Sequence, residues 1–194
     1  MKFIGLLSKQ DAAVLEKYGK WAGKTLEFGM GGSTMIFAQS GTQLWSFESD
    51  SNWLNRTRTN LELLGANPAK YKLLPYSRTI PGCEGELFDL AFVDGDADGR
   101  FPFAVEAFKR LKMGGWILFH DTRWKPDLRN MLDMMMVYQN EIDEVKLNMD
   151  HSNISGCRRK PAEPYYKWED AEGKEPWMYN LGEIPDNWPD LLPE

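Results

Sequence analysis

Short apolar runs separated by stretches of helical periodicity repeat along most of this chain, and that alternation restricts its fold more than any other feature. Residues 25–28, 43–47, 71–74, 88–93 and 116–119 read as strands, with helical patterns between most of them. A parallel connection needs a crossover that a helix supplies, so this order predicts an α/β protein with a doubly wound, mainly parallel sheet. Residues 8–22 carry Ala12, Val14, Leu15, Tyr18 and Trp21 at near-helical spacing, which predicts an amphipathic helix ahead of the first strand. Residues 53–64 place Leu54, Leu61 and Leu64 near one helical face. A helix over 104–111 is expected to stop at Lys112-Met113-Gly114-Gly115, where glycine takes the left-handed conformation that ends helices. Another follows over 129–138, its four methionines expected to fill gaps in the core. Residues 145–149 and 153–158, flanking Asp150-His151-Ser152, predict an antiparallel hairpin at the sheet's edge.

A chain of 194 residues is long enough for one domain with a real core and short for two. Residues 1–160 are read as that domain. From 161 to 194 the sequence is dense in proline, aromatics and acids, and its tryptophans predict an irregular extension packed on the domain or on a second subunit as a homo-oligomer contact. A net charge of −6 gives no footprint for nucleic acid, and Arg158-Arg159-Lys160 reads as a solvated strand end. No apolar run approaches the roughly 20 residues of a membrane-spanning helix. The opening MKFIGLLSKQDAA turns polar too soon for a secretory signal, so a cytoplasmic protein is expected. Cys83 and Cys157 lack any ligand or redox spacing and read as isolated thiols.

The stretch TLEFGMGGSTMI carries the chemistry. A strand that ends in glycines and feeds a helix brings backbone N–H groups close to a ligand, and the helix N-terminus favours a carboxylate or phosphate. A dinucleotide fingerprint would want glycine at position 34, where this chain has Thr34. Glu27, two residues before Gly29, would repel a pyrophosphate but could accept from an ammonium group. Glu48 ends the second strand about 20 residues beyond the first glycine, where a carboxylate can hold both hydroxyls of a ribose. A nucleoside bearing an amino acid satisfies both, and S-adenosylmethionine is such a molecule.

Together LEFGMGGST, FESD, FDLAFVDGD and LKMGGWILFHDT resemble a class I S-adenosylmethionine-dependent methyltransferase of the branch with a GGST loop. The resemblance spans roughly residues 20–122. It implies a Rossmann-like fold and a cradle for the methionine end of the cofactor made by Glu27, Gly29, Gly31, Gly32 and Ser33. It further implies Glu48 as the ribose ligand, Ser77 beside adenine, and Asp94 facing the cofactor amino group or the substrate pocket.

Ligands of an open parallel sheet bind beyond the carboxyl ends of its strands, so Asp94, Asp96 and Asp98 after the fourth strand and His120 and Asp121 after the fifth should line one crevice. Clustered carboxylates repel unless a cation or proton intervenes. In one mechanism Mg²⁺, held by Asp94 or Asp96 and by Asp121, lowers the pKa of an acceptor hydroxyl. In the other, His120 or a carboxylate acts alone as general base. Methyl transfer to a hydroxyl of a small-molecule acceptor is the leading function. The alternatives are a methyltransferase-like protein that binds the cofactor without turnover, and an NAD- or nucleotide-binding enzyme on a similar fold.

Overall fold

The computed structural model describes residues 7–76, 82–95 and 99–161. Ser77, Asp96, Asp98 and the aromatic extension therefore lie outside the described residues. The helix α1 (Lys9–Trp21) begins at a reciprocal cap, in which Ser8 Oγ accepts from the Asp11 N–H and the Asp11 carboxylate accepts from the Ser8 N–H. Then come β1 (Lys24–Phe28), α2 (Gly32–Ser40), β2 (Gln43–Glu48), α3 (Ser51–Leu63), β3 (Tyr71–Pro75), β4 (Phe88–Val93), α4 (Arg100–Lys109), β5 (Leu111–Phe119) and α5 (Lys125–Val137). The hairpin strands β6 (Ile142–Lys146) and β7 (Ser155–Arg159) complete a seven-stranded sheet of order β3-β2-β1-β4-β5-β7-β6. Strands β1 to β5 pair in parallel, and β7 runs antiparallel to both β5 and β6.

Alternate residues of each central strand feed opposite layers, as the two-residue period of a strand requires. Leu26, Phe28, Ala91, Val93, Ile117 and Phe119 pack with Ala104, Ala107, Phe108, Met131 and Met134 of α4 and α5. Leu90, Phe92, Trp116 and Leu118 pack on the other face with Val14, Leu15, Ile36 and Phe37 of α1 and α2. Each of these large buried side chains contributes about 1.5–3 kcal/mol of transfer free energy.

Five expectations need adjusting. The helix α4 ends at Lys109, and the Lys112–Gly115 turn lies inside β5, where Gly114 (φ +79°) serves a break in the β4–β5 register. Of the α5 methionines, Met131 and Met134 are buried, whereas Met136 faces solvent. On α3, Leu64 is exposed and Thr57 completes the buried face beside Leu54 and Leu61. Arg158 and Arg159 are paired rather than merely solvated: Arg158 forks onto Asp143 at 3.0 and 2.9 Å, and Arg159 donates to Glu141 at 2.8 Å. The first hairpin strand also lies three residues earlier than its pattern suggests, because a turn with Asn148, Asp150 and His151 at positive φ takes up residues 148–151. Both cysteines are buried and unpaired, as expected.

Candidate active site

Phe47, Phe28, Val93 and Phe119 stand in register across β2, β1, β4 and β5, so the residues that follow them share one edge of the sheet. Those residues are Glu48, Gly29, Asp94 and His120. Gly29 has φ +91°, and a Cβ there would come within 2.5 Å of the Asp94 carbonyl oxygen, so glycine is demanded by the neighbouring strand. Gly31 differs: a Cβ would meet only the Trp53 indole, at 3.7 Å. Among the described residues no side chain or backbone atom requires glycine at 31, which leaves space beside it for a ligand.

Glu27 lies in the middle of the sheet edge with no exposed surface, beneath the start of α2. Its Oε2 accepts from Thr34 Oγ1 at 2.8 Å and from Ser46 Oγ. Its Oε1 is buried with no hydrogen-bond partner among the described residues. Burial raises the Glu27 pKa from 4.5 to about 7, against the opposing pull of the nearby Ser33, Ser46 and Thr34 hydroxyls, of which Ser46 and Thr34 are hydrogen-bonded to it, and with a further push from the Asp94 charge. A cation placed at Oε1 would satisfy the orphan atom and favour the carboxylate form. Thr34, which stands where a dinucleotide fold has glycine, links turn to acid: its Oγ1 accepts from the Gly31 N–H at 2.9 Å while it donates to Glu27. Ser33 is buried in the first turn of α2, and Gly32 opens that helix, whose first N–H groups have no acceptor within it.

Glu48 stands at the end of β2 and grips the turn. Its Oε2 accepts from the Met30 N–H at 3.0 Å, and its Oε1 accepts from the Ser49 and Asp50 N–H groups at 2.7 and 2.9 Å. The Trp53 indole N–H donates to the Met30 carbonyl from the opposite side. Beside this grip lies a small cleft lined by Phe28, Phe47, Tyr76 and Phe103 together with Gly29, Glu48, Ser49 and Gly95. Such walls suit a flat aromatic ring. Tyr76 directly precedes Ser77, the residue expected beside adenine.

Around Asp94, His120 and Asp121 the sheet edge changes character. Their donor atoms lie within 4.8 Å of one another. His120 is buried, its Nδ1 3.1 Å from Asp94 Oδ1 and 3.3 Å from Asp121 Oδ1, while its Nε2 faces Asp11 Oδ2 at 3.6 Å, too long for a hydrogen bond. Burial alone would lower its pKa. The hydrogen bond to Asp94 and the charges of Asp94, Asp121 and Asp11 outweigh it and raise the pKa to about 9. Asp121 holds φ +59°, fixed by Asn153 Nδ2, which donates to its Oδ1 at 2.7 Å. The guanidinium of Arg100 sits among these acids, 3.2 Å from Asp94 Oδ1 and 3.4 Å from Asp121 Oδ2.

Two sequence expectations meet this arrangement. His120 is enclosed by three carboxylates, whose charges favour the protonated ring. Asp94 Oδ1 receives Arg100 and His120, and both Asp121 oxygens receive protein donors, so a hard divalent ion such as Mg²⁺ would find Asp94 Oδ2 as the one carboxylate oxygen of this pair without a partner among the described residues. The third acid assigned to the metal, Asp96, lies outside the described residues. Three residues that shape the site were not nominated from sequence: Thr34, Trp53 and Arg100. The hydroxyls of GGST and an arginine amid the acids of DGDADGR were the available signals.

No family model matches this chain, and no curated protein matches it in sequence. Solved structures do. An O-methyltransferase from Bacillus cereus in complex with S-adenosylhomocysteine superposes with a TM-score of 0.65 at 16% identity, covering 79% of this chain and 82% of that one. An O-methyltransferase from Streptomyces achromogenes involved in tomaymycin synthesis, in complex with S-adenosylmethionine, gives 0.62 at 13% identity over 80% and 81% of the two chains. A methyltransferase from Podospora anserina bound to S-adenosylhomocysteine gives 0.62 at 16% identity and 79% of each chain. The chain has the Rossmann-like methyltransferase fold, with its antiparallel edge hairpin.

Proposed function

We propose that this chain is an S-adenosylmethionine-dependent methyltransferase acting on a hydroxyl oxygen of a small-molecule acceptor. The observation that carries the reading is Glu27: a carboxylate without exposed surface, with one oxygen unpartnered among the described residues, beneath a glycine turn where a Cβ at Gly31 would meet no described atom closer than 3.7 Å. A buried acid in that state fits an ammonium group. Neighbours of the same fold that hold this cofactor or its product add support.

In this reading Glu27 answers the amino group, Ser33 and the first N–H groups of α2 the carboxylate, Glu48 the ribose hydroxyls, and the aromatic cleft the adenine. The bound cofactor supplies an electrophilic methyl group on sulfur. The protein's share is alignment, together with a place for the acceptor's proton. Asp94 is the group for that proton: among the described residues only its Oδ1 is engaged, and its side chain is partly exposed to the crevice. His120 and Asp121 then serve as the frame that holds Asp94. We assign residues 1–160 to the catalytic domain and 161–194 to an extension packed on it or on a second subunit. We place the activity in the cytoplasm, consistent with two unpaired buried thiols.

Calorimetry with S-adenosylmethionine and S-adenosylhomocysteine, followed by product release across a panel of hydroxylated small molecules, tests the reading. Binding of both with turnover on some acceptor is expected; failure to bind either removes it. One observation favours a second reading, cofactor binding without turnover: both His120 nitrogens face carboxylates, and both Asp121 oxygens are engaged. Tight binding with no S-adenosylhomocysteine formed across the panel would select it.

A further inference from the structure

We propose that the Arg100 guanidinium is the resident cation of the crevice after β4 and β5, standing between Asp94 and Asp121 where a divalent ion would otherwise bridge them. Resting on the methyltransferase reading, the inference adds that methyl transfer here proceeds without a metal, on a frame that Arg100 positions.

Arg100 is the first residue of α4 and is 7% exposed. Its whole donor fork is used. Nε donates to the Gly95 carbonyl at 2.9 Å and Nη1 to the His120 carbonyl at 3.0 Å. Nη2 is shared between Asp94 Oδ1 at 3.2 Å and Asp121 Oδ2 at 3.4 Å. A third acid, Asp127 on α5, lies 3.0 Å from Nη1. One side chain therefore hydrogen-bonds the ends of β4 and β5 and stands within ion-pair distance of the first turn of α5, where Asp127 Oδ1 makes no hydrogen bond among the described residues.

A guanidinium is a permanent cation whose planar fork is matched to carboxylates, so it neutralises the cluster at every working pH. A Mg²⁺ ion bridging the two acids could take Asp94 Oδ2, but at Asp121 it would need, at about 2.0–2.1 Å, an oxygen that already receives Arg100 or Asn153. Taking Asp121 Oδ2 would set the ion against a buried guanidinium and strip that charge of one of its carboxylate partners. At 3.2 and 3.4 Å the Nη2 contacts to Asp94 and Asp121 are longer than the roughly 2.7–2.9 Å of a short charge-assisted bond, as one nitrogen shared between two acids would give. The consequence is positional: Arg100 does not reach an acceptor itself but sets where Asp94 and Asp121 face the crevice.

The test uses the full chain and Mn²⁺ as probe, counting bound ion by electron paramagnetic resonance and following the melting temperature with and without it. Wild type should bind no Mn²⁺ and show no shift. Arg100→Ala should melt lower and gain Mn²⁺ binding that raises its melting temperature, a gain that adding Asp121→Asn removes. If Arg100→Ala does not fold, Arg100→Lys keeps a cation in place and should fold and stay silent to Mn²⁺. Wild type that binds Mn²⁺ and loses it with Asp121→Asn would overturn the proposal. So would a folded Arg100→Ala that ignores the ion, or an Arg100→Lys that takes it up. Calorimetry with S-adenosylmethionine on the same wild-type sample separates the two ideas: no cofactor binding defeats the methyltransferase reading, whatever Mn²⁺ does.

Discussion

The two ends of the candidate site are built on opposite principles. At the carboxyl ends of β1 and β2, a fully buried Glu27 keeps one oxygen unpartnered beneath a turn with room beside Gly31. At the ends of β4 and β5, a comparable density of charge is neutralised from within, each acid of the cluster meeting Arg100, His120 or Asn153. The first region is left costly by the protein alone, which is how a binding site is recognised when its ligand supplies the missing partner. In the second most of the carboxylate oxygens already have protein donors, with His120 Nε2 and Asp127 Oδ1 left buried without a hydrogen bond among the described residues, and such a network rigidifies more than it recruits. Cofactor affinity should therefore be sensitive to the first region, and the placement of the crevice's acids to the second.

Glycine substitutions should break this contrast most severely. Gly29→Val forces a β-branched residue to φ +91° and drives its Cβ into the Asp94 backbone, which is also the seam between the two regions. Strain and overpacking together predict a loss of about 3 kcal/mol or more. Gly31→Val, two residues along, should unfold near the wild-type denaturant midpoint yet bind no S-adenosylmethionine. Urea titrations paired with calorimetry check both. Equal stability losses would mean that the turn is wholly structural and the contrast false.

Much of the first region was legible in the sequence, because strand ends announce themselves when an apolar run meets glycine. Glu27 and Glu48 could be placed at adjacent strand termini from period alone, and the register of Phe28 with Phe47 confirms the placement. The second region was half legible. Asp94, His120 and Asp121 were assembled correctly by the same rule, but the cation that reconciles them was sought outside the chain. Arg100 comes from the start of α4, and a helix's first side chain can point anywhere until its packing is known. Thr34 and Trp53 escaped for the same reason: their hydrogen bonds to Glu27 and Met30 depend on how α2 and α3 lie against the sheet.

A pH series on Glu27 sharpens the first side of the comparison. Its folded pKa of about 7 exceeds the ordinary 4.5, so the folded state holds this proton more tightly than the unfolded chain does. Its contribution is thus fully present below pH 4.5 and is lost as pH rises through about 7. At about 1.4 kcal/mol per pKa unit the loss is about 3 kcal/mol. Glu27→Gln cannot ionise, so it should match wild type in acid and exceed it by about that amount above neutrality, while binding S-adenosylmethionine more weakly. Wild-type binding should also release a proton near neutral pH, visible as a dependence of the calorimetric heat on buffer ionisation enthalpy. A Glu27→Gln curve parallel to wild type at every pH would show that the buried acid carries no such cost.

Glu48→Ala comes next in size. Loss of a charge-assisted contact to ribose should weaken S-adenosylmethionine by roughly 1.5–3 kcal/mol. The fold should lose less, near 1 kcal/mol, because the Ser49 and Asp50 N–H groups that Glu48 receives are exposed and water can replace it. Unchanged affinity by calorimetry would remove Glu48 from the site.

The smallest effect belongs to Trp53, and it tests whether the turn is preorganised or merely tolerant. The indole N–H holds the Met30 carbonyl while Glu48 holds the Met30 N–H, so residue 30 is fixed from both sides before any ligand arrives. Trp53→Phe deletes one of the two holds and keeps most of the ring. Since Trp53 is 39% exposed, unfolding should be little changed. Cofactor affinity should fall by roughly 0.5–1.5 kcal/mol, the net worth of a neutral hydrogen bond. Preorganisation acts on the ordering cost of binding, so the loss should appear as a less favourable binding entropy with the site's contacts otherwise intact. In the double mutant with Glu48→Ala the two losses should not add, because once Glu48 is gone Met30 is already free on one side. Strict additivity in that cycle would mean that Trp53 and Glu48 act on separate structures, and that the turn is held by its own backbone rather than by the pair.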